Sequence, residues 1–318
     1  MAVYTHLGAV ELAKLIAHYD VGTLRSAKGI AEGVSNSNWL IETGSGRYIL
    51  TMYERRIDLH DLPFFLGLLD HLAEANCPVP RTIHDREGSA SRLVGGKAVA
   101  LIEFLPGISP DQPNPSQARA VGCALAQMHI AAADFGQSRS NSLGPAEWVT
   151  TLENCGAEKL AGIDALLPDM IGKARDVQAR WPGALPQTII HSDLFPDNVL
   201  MLDDEVSGII DFYFACTGAA AYDLAVTHAA WCFGRDGTQF DPDVSKAMIA
   251  GYESVRTLTA EEHQSLPLLA QGACLRFIAS RSSDWLEIPD DAMVSRKDPM
   301  EFVHRLSQYS QLGSKAFA

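Results

Sequence analysis

The spacing of apolar residues changes character at Pro106-Gly107, and that change limits the folds open to the chain. Before it, apolar residues fall in short runs of strand length. Segments 23–33, 35–43 and 47–54 read as strands, separated by a turn containing Gly33 and by Gly44-Ser45-Gly46. Segments 91–96 and 97–105 read the same way. Two helical stripes interrupt them: Leu12, Leu15, Ile16 and Tyr19, ended by Gly22, and Leu62, Phe65, Leu66, Leu69 and Leu72. This order predicts a small antiparallel sheet carrying helices over 1–105, an α+β unit. Beyond Pro106-Gly107 the polar, proline-rich stretch 108–117 reads as a boundary. Asn114 followed by Pro115 suits a helix cap and first turn, and Val121, Leu125 and Met128 continue the helix. Region 106–318 is then mainly helical, broken by one strand pair around 188–202 and 205–214.

Composition removes several classes. The 318 residues are 47% apolar, too rich in core-forming side chains for a disordered chain. A net charge of −14, from 39 acids against 25 bases, repels phosphodiester backbones and anionic bilayer surfaces, so neither nucleic acid nor membrane is an expected partner. No apolar run approaches the ~18–20 residues that span a bilayer, and Glu11 and Lys14 inside the first apolar stripe are unlike a signal peptide. The six cysteines form no Cys-x-x-Cys pair, and no histidines stand at a ligand spacing, so neither a disulfide scaffold nor a histidine metal site is expected. A reducing, cytoplasmic setting follows.

Chemistry concentrates in HSDLFPDN (191–198) and GIIDF (208–212). Asp193 precedes Asn198 by four intervening residues, and Asp211 ends an apolar strand thirteen residues later. A lone His-x-Asp is usually an ordinary hydrogen-bonded loop; the spaced triple between strands is far more specific. Phosphoryl transfer needs an acceptor oxygen aligned with the γ-phosphate and cations on the phosphate oxygens. One carboxylate can orient and deprotonate the acceptor, while a carboxylate and an amide oxygen can hold Mg²⁺.

This pattern resembles the catalytic core of the protein-kinase-like phosphotransferases. Ser192 and Tyr213 stand where protein kinases carry Arg and Gly, and no Ala-Pro-Glu occurs, so the resemblance is to the small-molecule branch, the aminoglycoside, choline and homoserine kinases. It implies a bilobal protein-kinase-like fold, with an antiparallel-sheet, nucleotide-binding N-lobe over 1–105 and a larger helical C-lobe over 106–318 holding the catalytic, metal and acceptor sites. It also implies ATP and Mg²⁺, Asp193 as base, and Asn198 and Asp211 as metal ligands. His191 is expected to anchor the loop rather than carry protons. In the N-lobe, Gly29, Gly33, Ser35, Asn36 and Ser37 fall in the nucleotide-positioning loop, a segment that a simple hairpin turn would equally explain. Glu103 to Leu105 fall in the hinge whose backbone pairs with adenine. One departure stands out: Thr51 occupies the strand position where relatives commonly carry Lys or Arg, and no acid stands at 65–67 on the following helix. Lys28, Arg55 or a second metal ion are left to meet the α/β-phosphates.

Segments GIAEGVSNSN (29–38), YILTMYE (48–54), DLPFFL (61–66), YDLA (222–225), WCF (231–233) and LRF (275–277) with Ser280-Arg281 resemble the homoserine kinases of this superfamily over nearly the whole chain, and Thr at position 51 is a trait of that family. The implied reaction converts ATP and L-homoserine to ADP and O-phospho-L-homoserine, a step toward threonine. A zwitterionic acceptor needs a cation for its carboxylate, and Arg276 and Arg281 on one helix are candidates, as is each for a structural ion pair. Asp223 suits the scaffold of the catalytic loop first and the acceptor ammonium second; Tyr213 faces the expected acceptor side. Another small alcohol as acceptor, or a catalytically silent kinase-like protein, remains open on these residues.

Overall fold

A computed structural model of the chain describes residues 7–30, 36–54, 58–288 and 296–318. The chain divides into two compact units, Met1–Pro106 and Gly107–Ala318.

In the first unit, α1 (Ala9–Ile16) buries Leu12, Leu15 and Ile16, and the Glu11 carboxylate accepts from the Gly8 amide at 2.8 Å. The helix ends before the apolar stripe does. Tyr19 leaves it to form a backbone bridge with Asp85 while its ring, 0% exposed, stays in the same core. β1 (Leu24–Ile30), β2 (Asn36–Thr43) and β3 (Arg47–Tyr53) run antiparallel, with Gly29 opposite Trp39 and Asn38 opposite Thr51. After α2 (Leu62–Glu74) come β4 (Thr82–Ile83), β5 (Arg92–Val94) and β6 (Lys97–Glu103). The sheet order is β1-β2-β3-β6-β4, with β5 also paired to β6. Trp39, Ile41, Leu50, Met52, Val99 and Leu101 on one face pack with α1. Thr51, Tyr53, Ala98 and Ala100, of opposite parity, are buried as well, so both faces of the central strands are covered. β4 was beyond the reach of periodicity because two residues carry no period. It is held by α2, through Thr82 N–H to Asp70 at 3.1 Å and Thr82 hydroxyl to the Leu66 carbonyl at 3.3 Å.

The second unit opens with α3 (Pro115–Ala131), capped as its sequence predicts. Asn114 accepts from the Gln117 amide at 2.9 Å, and the Gln117 side chain accepts from the Asn114 amide at 3.1 Å. Then follow α4 (Pro145–Cys155), α5 (Ala157–Ile163) and α6 (Asp169–Ala179). The expected single strand pair is two separate ladders. β7 (Gln187–Ile190) pairs with β10 (Cys216–Ala219), and β8 (Val199–Leu202) pairs with β9 (Glu205–Ile209). The His191–Asn198 loop and the Asp211 turn stand between the two ladders; Ser192 and Asp211 take left-handed φ of 67° and 66° there, a conformation that cannot continue a strand. Last come α7 (Ala220–Trp231), α8 (Pro242–Glu253), α9 (Ala260–Glu287) and α10 (Met300–Leu312). α7 is buried at every position, and α9 packs against α4, α7 and α10. α3 and α8 approach through glycine: a Cβ at Gly122 would lie 2.2 Å from the Met248 carbonyl oxygen. All six cysteines are free. Among the described residues no helix is long and apolar enough to cross a membrane.

Candidate active site

Loop 191–198 connects the two ladders of the second unit, and side chains from α7 and α9 tie it down. Asp223, fully buried in the first turn of α7, accepts from the His191 amide at 2.7 Å and the Ser192 amide at 2.6 Å. Its Oδ2 also accepts from His129 Nε2 of α3 at 3.0 Å, and His129 Nδ1 in turn meets the Tyr252 hydroxyl at 2.8 Å. Burial alone would raise the Asp223 pKa. The His129 hydrogen bond and charge, the nearby His191 and the His191 amide outweigh it and hold the carboxyl below its ordinary range. Trp231 at the end of α7 donates to the Leu194 carbonyl at 3.0 Å. Arg276 of α9 donates to the Ser192 carbonyl and reaches Asp193 Oδ1 at 3.4 Å. His191, 0% exposed, accepts the Asp193 amide at Nδ1 (3.2 Å), so its proton sits on Nε2 and is donated to the Ile210 carbonyl at 2.9 Å. Both ring nitrogens are engaged in holding the loop against the strand that delivers Asp211.

Asp193, Asn198 and Asp211 stand on adjoining segments of this framework. The Asn198 amide nitrogen donates to the Asp193 carbonyl at 2.8 Å, which turns its amide oxygen away from the loop. The Ile210 amide donates to the Asn198 carbonyl at 3.0 Å and locks the two segments together. Asp211 has an exposed residue surface, yet its carboxyl is crowded by surrounding chain. That partial desolvation, then the charge of Asp193, pushes its pKa up to about 6; His191 and Lys297 oppose the shift. The Asp211 carboxylate and the Asn198 amide oxygen are hard donors of the kind that suits Mg²⁺, which takes one or two carboxylates and fills its remaining positions with water and phosphate. Among the described residues no group of three or more His, Cys, Asp or Glu is placed to hold a metal by itself.

Expected nucleotide residues lie in the first unit. Gly29 is exposed on β1, while Gly33 and Ser35, with Arg55, lie outside the described residues. Asn36 is buried with its side-chain oxygen unpartnered. The Ser37 hydroxyl donates to Glu54 at 2.7 Å, and Glu54 also pairs with Lys97. Thr51, 3% exposed, donates to the Asn38 side chain at 2.9 Å, so the position that departs from the common pattern is filled by a satisfied neutral pair. The Glu103 amide donates to the Arg81 carbonyl at 2.9 Å and its carboxylate accepts from the Arg81 amide at 3.2 Å. That amide is therefore unavailable to an adenine edge, and the expectation narrows to the other backbone groups up to Leu105.

Residues 26–258 match the APH phosphotransferase enzyme family. The chain belongs to that family. It is 45% identical to a homoserine kinase of Acidiphilium cryptum, over 99% of each chain, and 47% identical to one of Granulibacter bethesdensis, over 96% of each. A spectinomycin phosphotransferase, solved in complex with ADP and spectinomycin, superposes with a TM-score of 0.73 at 15% identity, over 98% of this chain and 100% of that one. The fold is that of the protein-kinase-like phosphotransferases.

Within this family member the expected acceptor residues divide. Tyr213 lies half-buried in the short turn after Asp211. Asp223 does not face an acceptor: it is 0% exposed and both its oxygens are used on the loop and His129. Arg276, 3% exposed, is brought to Asp193 but from behind, stacked on Phe277 at 4.4 Å with its donors turned to the loop. Arg281 donates to the Asp298 carbonyl at 2.7 Å and pairs with Glu301 at 2.6 Å. Both guanidiniums are buried on α9 and turned to neighbouring chain, Arg276 with its Nε unpartnered and Arg281 through one nitrogen alone. Sequence reading missed His129 and Trp231 as loop tethers. Only a polar residue inside the apolar stripe of α3 hinted at the first.

Proposed function

We propose that the chain transfers the γ-phosphoryl group of ATP to the side-chain hydroxyl of L-homoserine, giving ADP and O-phospho-L-homoserine, in the cytoplasm. The observation that carries this reading is the tethered loop: its amides rest on Asp223 while the Asp193 carboxylate keeps an open side, 20% exposed. The identity to curated homoserine kinases across nearly the full length supports the acceptor.

Asp193 aligns the hydroxyl and takes its proton as the O–P bond forms; Arg276 at 3.4 Å steers that carboxylate. Asn198 and Asp211 supply an amide oxygen and a carboxylate to Mg²⁺, which when bound neutralises charge on the phosphate oxygens. Gly29, Asn36, Ser37 and Leu105 of the first unit, with Gly33 and Ser35 outside the described residues, are the nucleotide-binding set. Glu103 braces the strand end.

A coupled ADP-release assay tests this. L-Homoserine should give the highest kcat/KM in a panel with L-serine, L-threonine, choline, homoserine lactone and kanamycin. Serine, one methylene shorter, should lose well over tenfold through misalignment. A panel led by choline or kanamycin would overturn the acceptor and leave the phosphotransferase standing.

A further inference from the structure

We infer that Lys297 is the cation that receives the carboxylate of the amino-acid acceptor, a subsite that rests on the homoserine reading above. A zwitterion that places its hydroxyl at Asp193 brings its own carboxylate toward Asp193 and Asp211, both acidic. Without a facing cation that approach is repulsive. The arginines of the surrounding helices are buried or hold neighbouring groups, Arg305 with two of its nitrogens unpartnered in the interior. Arg276 holds the Ser192 carbonyl, Arg281 holds Asp298 and Glu301, and Arg305 is 4% exposed beneath Phe233 and Phe302. Arg296 donates to the Ile288 carbonyl.

Lys297 differs from them. It is exposed, and among the described residues it forms neither an ion pair nor a hydrogen bond. Its ammonium lies 5.8 Å from the centre of the Phe195 ring, two residues after Asp193 in the same loop. Phe195 sits on Phe277 at 4.9 Å and on Phe302 at 6.1 Å, which fixes the ring that Lys297 overlies. The backbone that carries Lys297 is also fixed. Arg281, stacked on Phe302 at 4.7 Å, grips the Asp298 carbonyl, and the Asp298 side chain accepts from the Met300 amide at 2.8 Å to start α10. Arg281 is thus a positioning residue for Lys297. A mobile point charge with three donors, held over an apolar ring of the catalytic loop, fits a carboxylate better than it fits a neutral alcohol.

The test compares Lys297→Met and Lys297→Arg with wild type in the full-length protein. It uses L-homoserine and its neutral carboxamide as acceptors, plus calorimetric binding of L-homoserine without ATP. Lys297→Met should raise the homoserine KM and dissociation constant by about tenfold or more, the scale of a charge-assisted hydrogen bond. It should leave the KM for ATP and for the carboxamide within about twofold of wild type by the same reasoning, and Lys297→Arg should restore most of the homoserine affinity. Because Lys297 is exposed, melting temperature should not move. Equal weakening of homoserine and carboxamide would overturn the assignment. So would a lower kcat at unchanged homoserine KM, which would put the lysine on the transferring phosphoryl group. A wild-type protein that neither binds nor phosphorylates homoserine would overturn the proposed function and the subsite together, whereas homoserine turnover indifferent to Lys297 would overturn the subsite alone.

Discussion

Replacing Asp223 by Asn separates holding the catalytic loop from touching substrate. The carboxylate receives three hydrogen bonds, from the His191 amide, the Ser192 amide and His129 Nε2, with no exposed surface. Asparagine keeps the volume but must place an NH₂ where one oxygen stood. In its better orientation that NH₂ faces the Ser192 amide, donor against donor, and the remaining contacts lose their charge. One buried donor left unpaired costs about 1–3 kcal/mol, and weakening two charge-assisted bonds adds to it, for a total of about 2–4 kcal/mol. Alanine, which removes the acceptor entirely, should cost about 3–5 kcal/mol. Since Ser192 immediately precedes Asp193, a loop shift on the order of 1 Å should lower kcat by roughly 10²-fold, with a smaller change in the homoserine KM. Urea unfolding gives the stability loss and the ADP-release assay gives the kinetics. The variant should also lose acid sensitivity. The native Asp223 pKa is depressed, so its stabilisation is present above the ordinary carboxyl value of 3.8 and lost as pH falls through the lower native one. Wild-type stability, or a rise in homoserine KM alone, would refute this reasoning and return Asp223 to the acceptor site.

Asp193→Asn should behave oppositely, losing about 10²–10⁴-fold in turnover with a melting temperature near wild type; activity within a few-fold would remove Asp193 as base. Asp211→Ala should abolish Mg²⁺-dependent turnover and Asn198→Ala should raise the Mg²⁺ concentration needed for half-maximal rate, so wild-type rates in chelator would contradict both. His228, buried beside Tyr309, Ser245 and the Ala316 carbonyl, has its pKa pushed down to about 3 by burial, only partly opposed by the Ala316 contact. The unfolded imidazole binds its proton near 6.5, so the stability tied to neutral His228 is complete above that pH. It is lost on acidification toward 3, at roughly 1.4 kcal/mol per pH unit. Melting curves between pH 7 and 4 should therefore fall more steeply for wild type than for His228→Gln, and equal slopes would count against the burial argument.

The residues proposed to bear the chemistry can be picked out of the sequence because their geometry is local. Asp193 and Asn198 share one loop, Asp211 ends the next ladder, and the hydrogen bonds that orient them, from Asn198 to Asp193 and from Ile210 to Asn198, close over a few residues. Capping at Asn114-Pro115 and the hairpins of β1 to β3 were legible for the same reason. Short-range donors and acceptors, turn residues and apolar period specify them without a partner from far away.

Long side chains on helices were not legible in this way. Arg276 and Arg281 lie five residues apart on one helix, chemically alike and equally suited to an acceptor carboxylate. α9 packs between α4, α7 and α10, and that packing sends Arg276 to the back of the loop and Arg281 to the start of α10. Asp223 reads first as a scaffold for the catalytic loop and second as an ammonium contact, and only its burial under two loop amides separates the two. Lys297 has no motif around it and is noticed only where its ammonium lies over the Phe195 ring. Local sequence determined which groups could do phosphoryl-transfer chemistry. Tertiary packing alone decided which cations and carboxylates stay available to a substrate, because a buried charge must be paired by whatever neighbour the fold brings to it.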